Sequence, residues 1–419
     1  MVLNTDEIID TYFERKNVLV GHQIHSFNNF INNIIPNILS QFFPIKLNYN
    51  VNIIKSVELR IINIIIGKPI STENNGCKKL LTPTMARDKN TSYLLPIYLD
   101  LESEINIVEN GVSIKMEKTV IKNVIFGKIP IVVKSDFCIL NSTNDHGECI
   151  YDTGGYSIIN GNEKVVISQE RIAYNIAQVF INPKASPKYM YICEIRSLHE
   201  KIYATPKTVS LKISNNGNII NVSLPHIKQE IPLFIIFRAL GCITEKEIIY
   251  HIIDNNDENS EIDNKIIKIL KNSIDQVEGI YTESEAIEYI SNNIVNNYSI
   301  VQPLDRRIKY VKETVLKDYL SHLDTPLDKV FYTGYMVNKL IKCLIGVSEV
   351  DDRDSFTNKR IDTCGSLLGN LMYQCVSKIH KDIKNYINKE VDNGLWNINK
   401  NYNDIINGIN IHKIIKSSY

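Results

Sequence analysis

The densest run of reactive side chains is Asp351-Asp352-Arg353-Asp354-Ser355-Phe356-Thr357-Asn358-Lys359-Arg360-Ile361-Asp362. Three carboxylates within four residues offer the oxygen ligands that a hard divalent cation prefers. Arg353 in their midst would neutralise such a site, so metal binding is the less favoured chemistry. Arg353, Lys359 and Arg360 suit phosphate oxygens instead, through charge-assisted hydrogen bonds. Charge of this density and alternation is also the mark of a salt-bridged surface loop. The residues alone leave the loop and phosphate readings open.

Other candidates are weaker. His146 and Cys149 form a His-x-x-Cys pair, but nothing nearby activates a thiolate, so a loop is the expectation. His22 and His25 fall on one helical turn without a third ligand, which predicts a polar face rather than a metal site. The eight cysteines are scattered and make no Cys-x-x-Cys pair, as expected of reduced thiols rather than a disulfide frame or zinc site. No catalytic residue and no metal ligand is assigned.

Gly154-Gly155-Tyr156-Ser157-Ile158-Ile159-Asn160-Gly161-Asn162-Glu163-Lys164-Val165-Val166-Ile167-Ser168-Gln169-Glu170-Arg171 invites a phosphate-cradle reading. The spacing rejects it: no Gly-Lys-Ser/Thr is present, and the glycines precede a strand rather than open a helix. Asn160-Gly161 between Ile158-Ile159 and Val165-Val166-Ile167 predicts a tight hairpin. Gly154-Gly155 allows a sharp bend or a close backbone approach before it. After Ile167 the apolar spacing turns helical or irregular.

The elements that must carry these groups follow from apolar periodicity. Ile24, Phe27, Ile31, Ile34, Ile35, Ile38 and Phe42 predict an amphipathic helix that Pro36 should bend or break. Val51 to Ile66 and Tyr93 to Leu101 read as strands, as do short runs from Thr205 to Ser223 around Asn215-Asn216-Gly217-Asn218. Leu368, Leu371, Met372, Cys375, Ile379, Ile383 and Ile387 define a late helix, with Lys378, Lys381, Lys384 and Lys389 on its other faces. Residues 245–290 hold twelve acids against four lysines, a field that repels DNA and suits solvent or a basic protein. Trp396 and the Asn-rich tail read as loop and a weak last helix.

At 419 residues the chain exceeds one ordinary core, so two or three domains are expected. Lys plus Arg equals Asp plus Glu at 47 each, which excludes a global polyanion-binding charge and leaves local patches or a partner chain. Neither a leader nor a membrane span is indicated. The chain contains 71 Ile and 48 Asn but 7 Ala. No folding rule demands that bias, whereas an AT-rich genome would impose it.

Several blocks together resemble one family. The hairpin segment is similar to the Asp-Pro-Gly-Gly-Tyr-Phe-Ile-Ile-Asn-Gly-x-Glu-Lys signature, followed by a Gln-Glu-Arg helix, of the second-largest subunit of multisubunit DNA-directed RNA polymerases. Thr153 and Ser157 depart from it without touching the turn. Leu19 to Ile31, Thr82 to Tyr98, Phe126 to Ser135, Pro225 to Gly241, Phe331 to Leu340 and Asp351 to Arg360 resemble further blocks in the family's order.

The resemblance implies an α+β multidomain fold, a protrusion with an inserted lobe. The protrusion would cover 1–197 and 347–405, the lobe 198–346, and the start of a fork region 406–419. The structural signature is Gly154, Gly155, Asn160, Gly161, Glu163, Lys164, Gln169, Glu170 and Arg171. The nucleic-acid-proximal candidates are Arg353, Lys359, Arg360 and Lys378.

The resemblance also implies one side of a DNA cleft and a docking surface for initiation factors, with no catalytic centre in this chain. The implied Mg2+ is held by the largest subunit. Implied partners are that subunit, the remaining second-subunit chain, smaller polymerase subunits, template DNA and the DNA–RNA hybrid; no membrane is involved. The expected location is intracellular: virion or host cytoplasm for a large DNA virus, nucleus for a cell. The competing class is a stand-alone transcription-factor or DNA interaction module.

Overall fold

The computed structural model describes residues 5–14, 18–49, 54–72, 76–109, 112–141, 148–149, 151–182, 188–200, 203–215, 218–253, 260–277, 279–294 and 303–392. His146, Asn216, Gly217, Trp396 and the 406–419 segment lie outside them. The chain divides into two compact units, Met1–Gln169 with Ile361–Tyr419, and Glu170–Arg360.

The first unit is built on an antiparallel sheet. Its strands are β1 (Ile45–Asn48), β2 (Ile54–Ile66), β5 (Leu94–Glu109) and β6 (Val112–Pro130), in that spatial order. A small hairpin, β3 (Ile70–Thr72) with β4 (Lys78–Leu80), lies between β2 and β5 in sequence. Along β5, Leu95, Ile97, Leu99, Leu101, Ser103 and Ile105 are all buried, the period of two that a sheet packed on one face requires.

The opening helix runs Gly21–Asn29, passes through one π-helical turn at Phe30–Ile34, and resumes as Ile35–Phe42. Pro36 sits in the first turn of the resumed helix, where its missing N–H is tolerated. The widened turn before it absorbs the disruption without ending the helix. Ile24, Phe27, Ile31, Ile35 and Ile38 are buried, and the Cys364–Asp392 helix buries Leu368, Met372, Cys375, Ile379, Ile383 and Ile387. Both stripes follow the expected three-to-four spacing. The unit also carries the hairpin β7 (Ser157–Ile159) and β8 (Asn162–Lys164).

In the second unit, β9 (Gln169–Ile172) pairs with β15 (Lys359–Asp362). A five-stranded sheet is ordered β10 (Gln178–Ile181), β11 (Tyr189–Ser197), β12 (Lys207–Ser214), β13 (Ile220–Ser223) and β14 (Ile231–Pro232). Helices Leu233–Ala239, Glu245–Ile252, Ser260–Asp275, Glu283–Asn292, Leu304–Tyr310 and Pro326–Ile345 complete it. The last starts at a Thr325 cap, whose hydroxyl accepts from Asp328 N, and stops at Gly346 in the left-handed region. Val179, Cys193, Leu211, Phe234, Phe237, Ile287, Val337 and Leu340 share one core, so sheet and helices stabilise each other.

By contacts the units divide at 169/170 and 360/361, and β10 and β11 belong to the sheet that packs on the Pro326–Ile345 helix. Two expectations shift. Gln169-Glu170-Arg171 is strand, not helix, since pairing with β15 overrides the local pattern. The second hairpin strand is Asn162–Lys164, not the apolar run behind it. A two-residue turn sets Ile159 directly opposite Asn162, and Val165 and Ile167 are left exposed beyond the ladder.

Candidate nucleic-acid interface

The hairpin is held by geometry rather than poised for chemistry. Asn160 and Gly161 take φ of 52° and 79°, the left-handed pair that a two-residue turn needs. Gly154 and Gly155 have φ of 72° and 82°. A Cβ on Gly154 would sit 2.7 Å from the Val133 carbonyl oxygen, and one on Gly155 would sit 2.8 Å from Val20 Cβ. That close approach lets Gly155 N donate to Val133 O at 3.0 Å and Val133 N donate to Tyr156 O at 2.8 Å.

Around this hairpin Arg87 is the hub. Its guanidinium donates to Glu148, to Glu163 at 2.7 Å and to the Tyr156 hydroxyl at 2.6 Å. Burial works against the Arg87 charge, but the hydrogen bonds to Glu148 and Glu163 more than offset it and hold the pKa above the usual arginine value. Tyr156 in turn donates to Asp152, and burial pushes its phenol above the ordinary tyrosine range. Arg87 belongs to the Thr82–Arg87 block, yet nothing in the sequence marked it as the residue that binds Glu163 of the signature. Lys164 is exposed opposite Ser157, Gln169 opens β9, and the Arg171 guanidinium lies 3.7 Å from the Tyr174 ring centroid. Cys149 is exposed, while its proposed partner His146 lies outside the described residues.

The charged segment 351–362 is fixed at both ends. Asp351 N donates to Val179 O at 2.8 Å, while its carboxylate accepts from Val179 N at 2.7 Å and meets Lys339 Nζ at 2.7 Å. Asp352 caps its own loop by accepting from Asp354 N, and its carbonyl accepts from Asn358 Nδ2. Asn358 O accepts from Ala173 N at 2.9 Å. The Arg353 guanidinium carbon lies over the Phe180 ring, 4.2 Å from its centroid. Lys359 Nζ pairs with Glu170 at 2.6 Å and Asp354 at 3.6 Å, and the Glu170 hydrogen bond raises its pKa.

Arg360 differs from both. It is exposed, and among the described residues its Nη1 donates to the backbone carbonyls of Thr357 and Lys359 and to no acid. Those bonds orient the guanidinium without neutralising it. Beside it Phe356 is 87% exposed and Ile361 70% exposed. Phe356 was not singled out by sequence reasoning; it sits on the Phe356–Asn358 turn, between acids and cations.

The structure thus brings Arg353, Lys359 and Arg360 onto one segment of the second unit. Lys378 is exposed on the Cys364–Asp392 helix of the first. The acids of this segment do not gather around an ion. Asp351 is committed to Lys339 and Val179, Asp352 to its own loop, and Asp354 points to solvent at 96% exposure. This donor set does not fit Mg2+, and no step is assigned to one here. His22 and His25 are both exposed on the opening helix.

Residues 18–413 match the family described as RNA polymerase beta subunit. The chain belongs to that family. The match covers both units, so the hairpin and the charged segment sit within one family frame. Among its relatives is the DNA-directed RNA polymerase II subunit RPB2 of Encephalitozoon cuniculi, 34% identical over 92% of this chain and 34% of that protein. DNA-directed RNA polymerase subunit 2 of Acanthamoeba polyphaga mimivirus is 33% identical over the same shares. Subunit Rpo2N of Methanothermobacter thermautotrophicus is 28% identical over 92% of this chain and 75% of its own length. The chain therefore spans about a third of the first two relatives. Among the described residues, no helix is long and apolar enough to cross a membrane.

Proposed function

We propose that this chain is the N-terminal portion of the second-largest subunit of a DNA-directed RNA polymerase and supplies a rigid side of its DNA cleft. The observation that carries the reading is the family match over residues 18–413. In this proposal residues 1–197 and 347–405 form the protrusion, 198–346 the inserted lobe, and 406–419 the start of a fork region. Phosphodiester formation belongs to the assembled enzyme, with Mg2+ held by the largest subunit, so the isolated chain does not synthesise RNA.

Arg360 is the first residue we assign to a phosphate, because its charge is oriented by carbonyls and left unpaired by any described acid. Arg353 and Lys359 brace the segment that presents it, and Lys378 is a further phosphate candidate. The acid-rich helices between 245 and 290 suit a basic partner such as a factor or a smaller subunit. The Ile and Asn bias points to an AT-rich source genome such as that of a large DNA virus, active in the virion or host cytoplasm; in a cellular source the site would be the nucleus.

The test is reconstitution from the largest subunit, the remaining second-subunit chain, the smaller subunits and this chain. Template-directed RNA synthesis should appear only with all of them present, and this chain should co-purify. A fully active enzyme lacking it would overturn the assignment.

A further inference from the structure

One cluster in the second unit serves neither the hairpin nor the charged segment. Cys242 Sγ, a Glu247 carboxylate oxygen and a His251 ring nitrogen all lie within 4.8 Å of one another. It is the one such three-residue group among the described residues. We propose that Cys242, Glu247 and His251 form a zinc site with one coordination position left to water.

The fold builds the site from two pieces. Gly241, at φ 99°, closes the Leu233–Ala239 helix, and Cys242 N returns to Phe237 O at 3.0 Å, which turns the buried thiol toward the next helix. Thr244 caps that helix, Glu245–Ile252, and its hydroxyl accepts from Glu247 N at 3.3 Å. Glu247 and His251 are four residues apart, hence on one face. The imidazole is fixed by its edge-on contact with Phe331, 4.7 Å between ring centroids. Its backbone is fixed too: the His251 carbonyl presses where a Cβ on Gly334 would be, at 2.1 Å.

A second observation points to a ligand. His251 Nδ1 is buried and has no hydrogen-bond partner among the described residues, an orphan that is costly to leave unpaired. A metal held through Nδ1 would give that nitrogen the partner it lacks. Cys242 is buried and Glu247 exposed, so the cluster is closed on the sulfur side and open to solvent on the other. Sulfur, imidazole and carboxylate together favour Zn2+ over the hard cations. Tetrahedral zinc places its ligand atoms roughly 3.3–3.7 Å apart, a small contraction from the observed spread.

Charge balances as well. Zn2+ bound by a Cys242 thiolate, the Glu247 carboxylate and a neutral His251 imidazole would leave the site without net charge, the thiol proton passing to solvent.

The test uses the full chain, stripped of metal and titrated with Co2+ as a spectroscopic stand-in. The expected result is one equivalent bound with a thiolate-to-cobalt charge-transfer band that Zn2+ abolishes. Cys242→Ser should lose the band, and His251→Gln should bind on the order of 10–100-fold more weakly or worse. A Zn2+-dependent rise in the urea midpoint should vanish in both variants. His251 is partly exposed, so His251→Gln keeps the test valid if Cys242→Ser does not fold. No band in the wild-type chain, or a band that survives in Cys242→Ser, would overturn the site.

Discussion

The hairpin at 154–164 and the charged segment at 351–362 look equally rich in sequence, yet they do opposite work. In the hairpin the groups that set its shape are consumed locally, and Lys164 alone of its charges is left exposed with no partner among the described residues. Glu163 and Glu148 are bound to Arg87, and the two glycines are pressed against Val133 and Val20. In the charged segment Asp351, Arg353 and Lys359 are likewise consumed, by Val179, Lys339, Phe180 and Glu170, but Asp354, Phe356 and Arg360 remain outward. The lesson is that charge density does not identify a binding surface. What identifies it is the group left over after the internal pairs are counted.

The comparison breaks first at Gly154. Gly154→Ala places a Cβ against a backbone carbonyl at a positive φ, and the chain should lose about 2–4 kcal/mol in urea unfolding. A loss under half of that would mean the hairpin can shift and is not the rigid element claimed. Asp351→Asn should cost less, about 1–2 kcal/mol, since the loop keeps its bond from Val179 N and loses the Lys339 ion pair. Equal stability at low and high salt in both proteins would show that the pair contributes nothing.

Arg360→Ala should leave stability within about 0.5 kcal/mol. In the reconstituted polymerase it should weaken DNA binding on every sequence and lower the salt slope by about 1. An unchanged slope removes Arg360 from the interface.

The smallest effect concerns pH in the second unit. Burial, then the Lys329 cation, hold His322 below the ordinary histidine pKa. The unfolded chain therefore binds the proton more readily, so this contribution to stability is present above pH ~6.5 and fades as pH falls through the lowered folded value. His322→Gln should flatten that part of the stability profile, measured as the urea midpoint from neutral to mildly acid pH. If the wild-type and variant slopes coincide, His322 is not the titrating group.

Much of the frame was legible because it depends on near neighbours. The stripe from Ile24 to Ile38, the alternation along β5 and the Asn160-Gly161 turn each follow from periodicity or a single φ requirement. What failed depended on distant partners. Gln169-Glu170-Arg171 carries no strand signal by itself and becomes a strand only because Lys359–Asp362 lies beside it, nearly two hundred residues later. Arg87 looked like one residue of a helix end, and Cys242 like one scattered thiol.

By itself, then, the sequence determined the family, the hairpin, the amphipathic helices and the list of charged residues, since those are set by local spacing and side-chain type. Only the tertiary structure decided which charges are spent on each other, that Arg360 is oriented by carbonyls rather than neutralised, and that Cys242, Glu247 and His251 meet. Pairing energies depend on distance and burial, and both arise only when segments far apart in the chain are packed together.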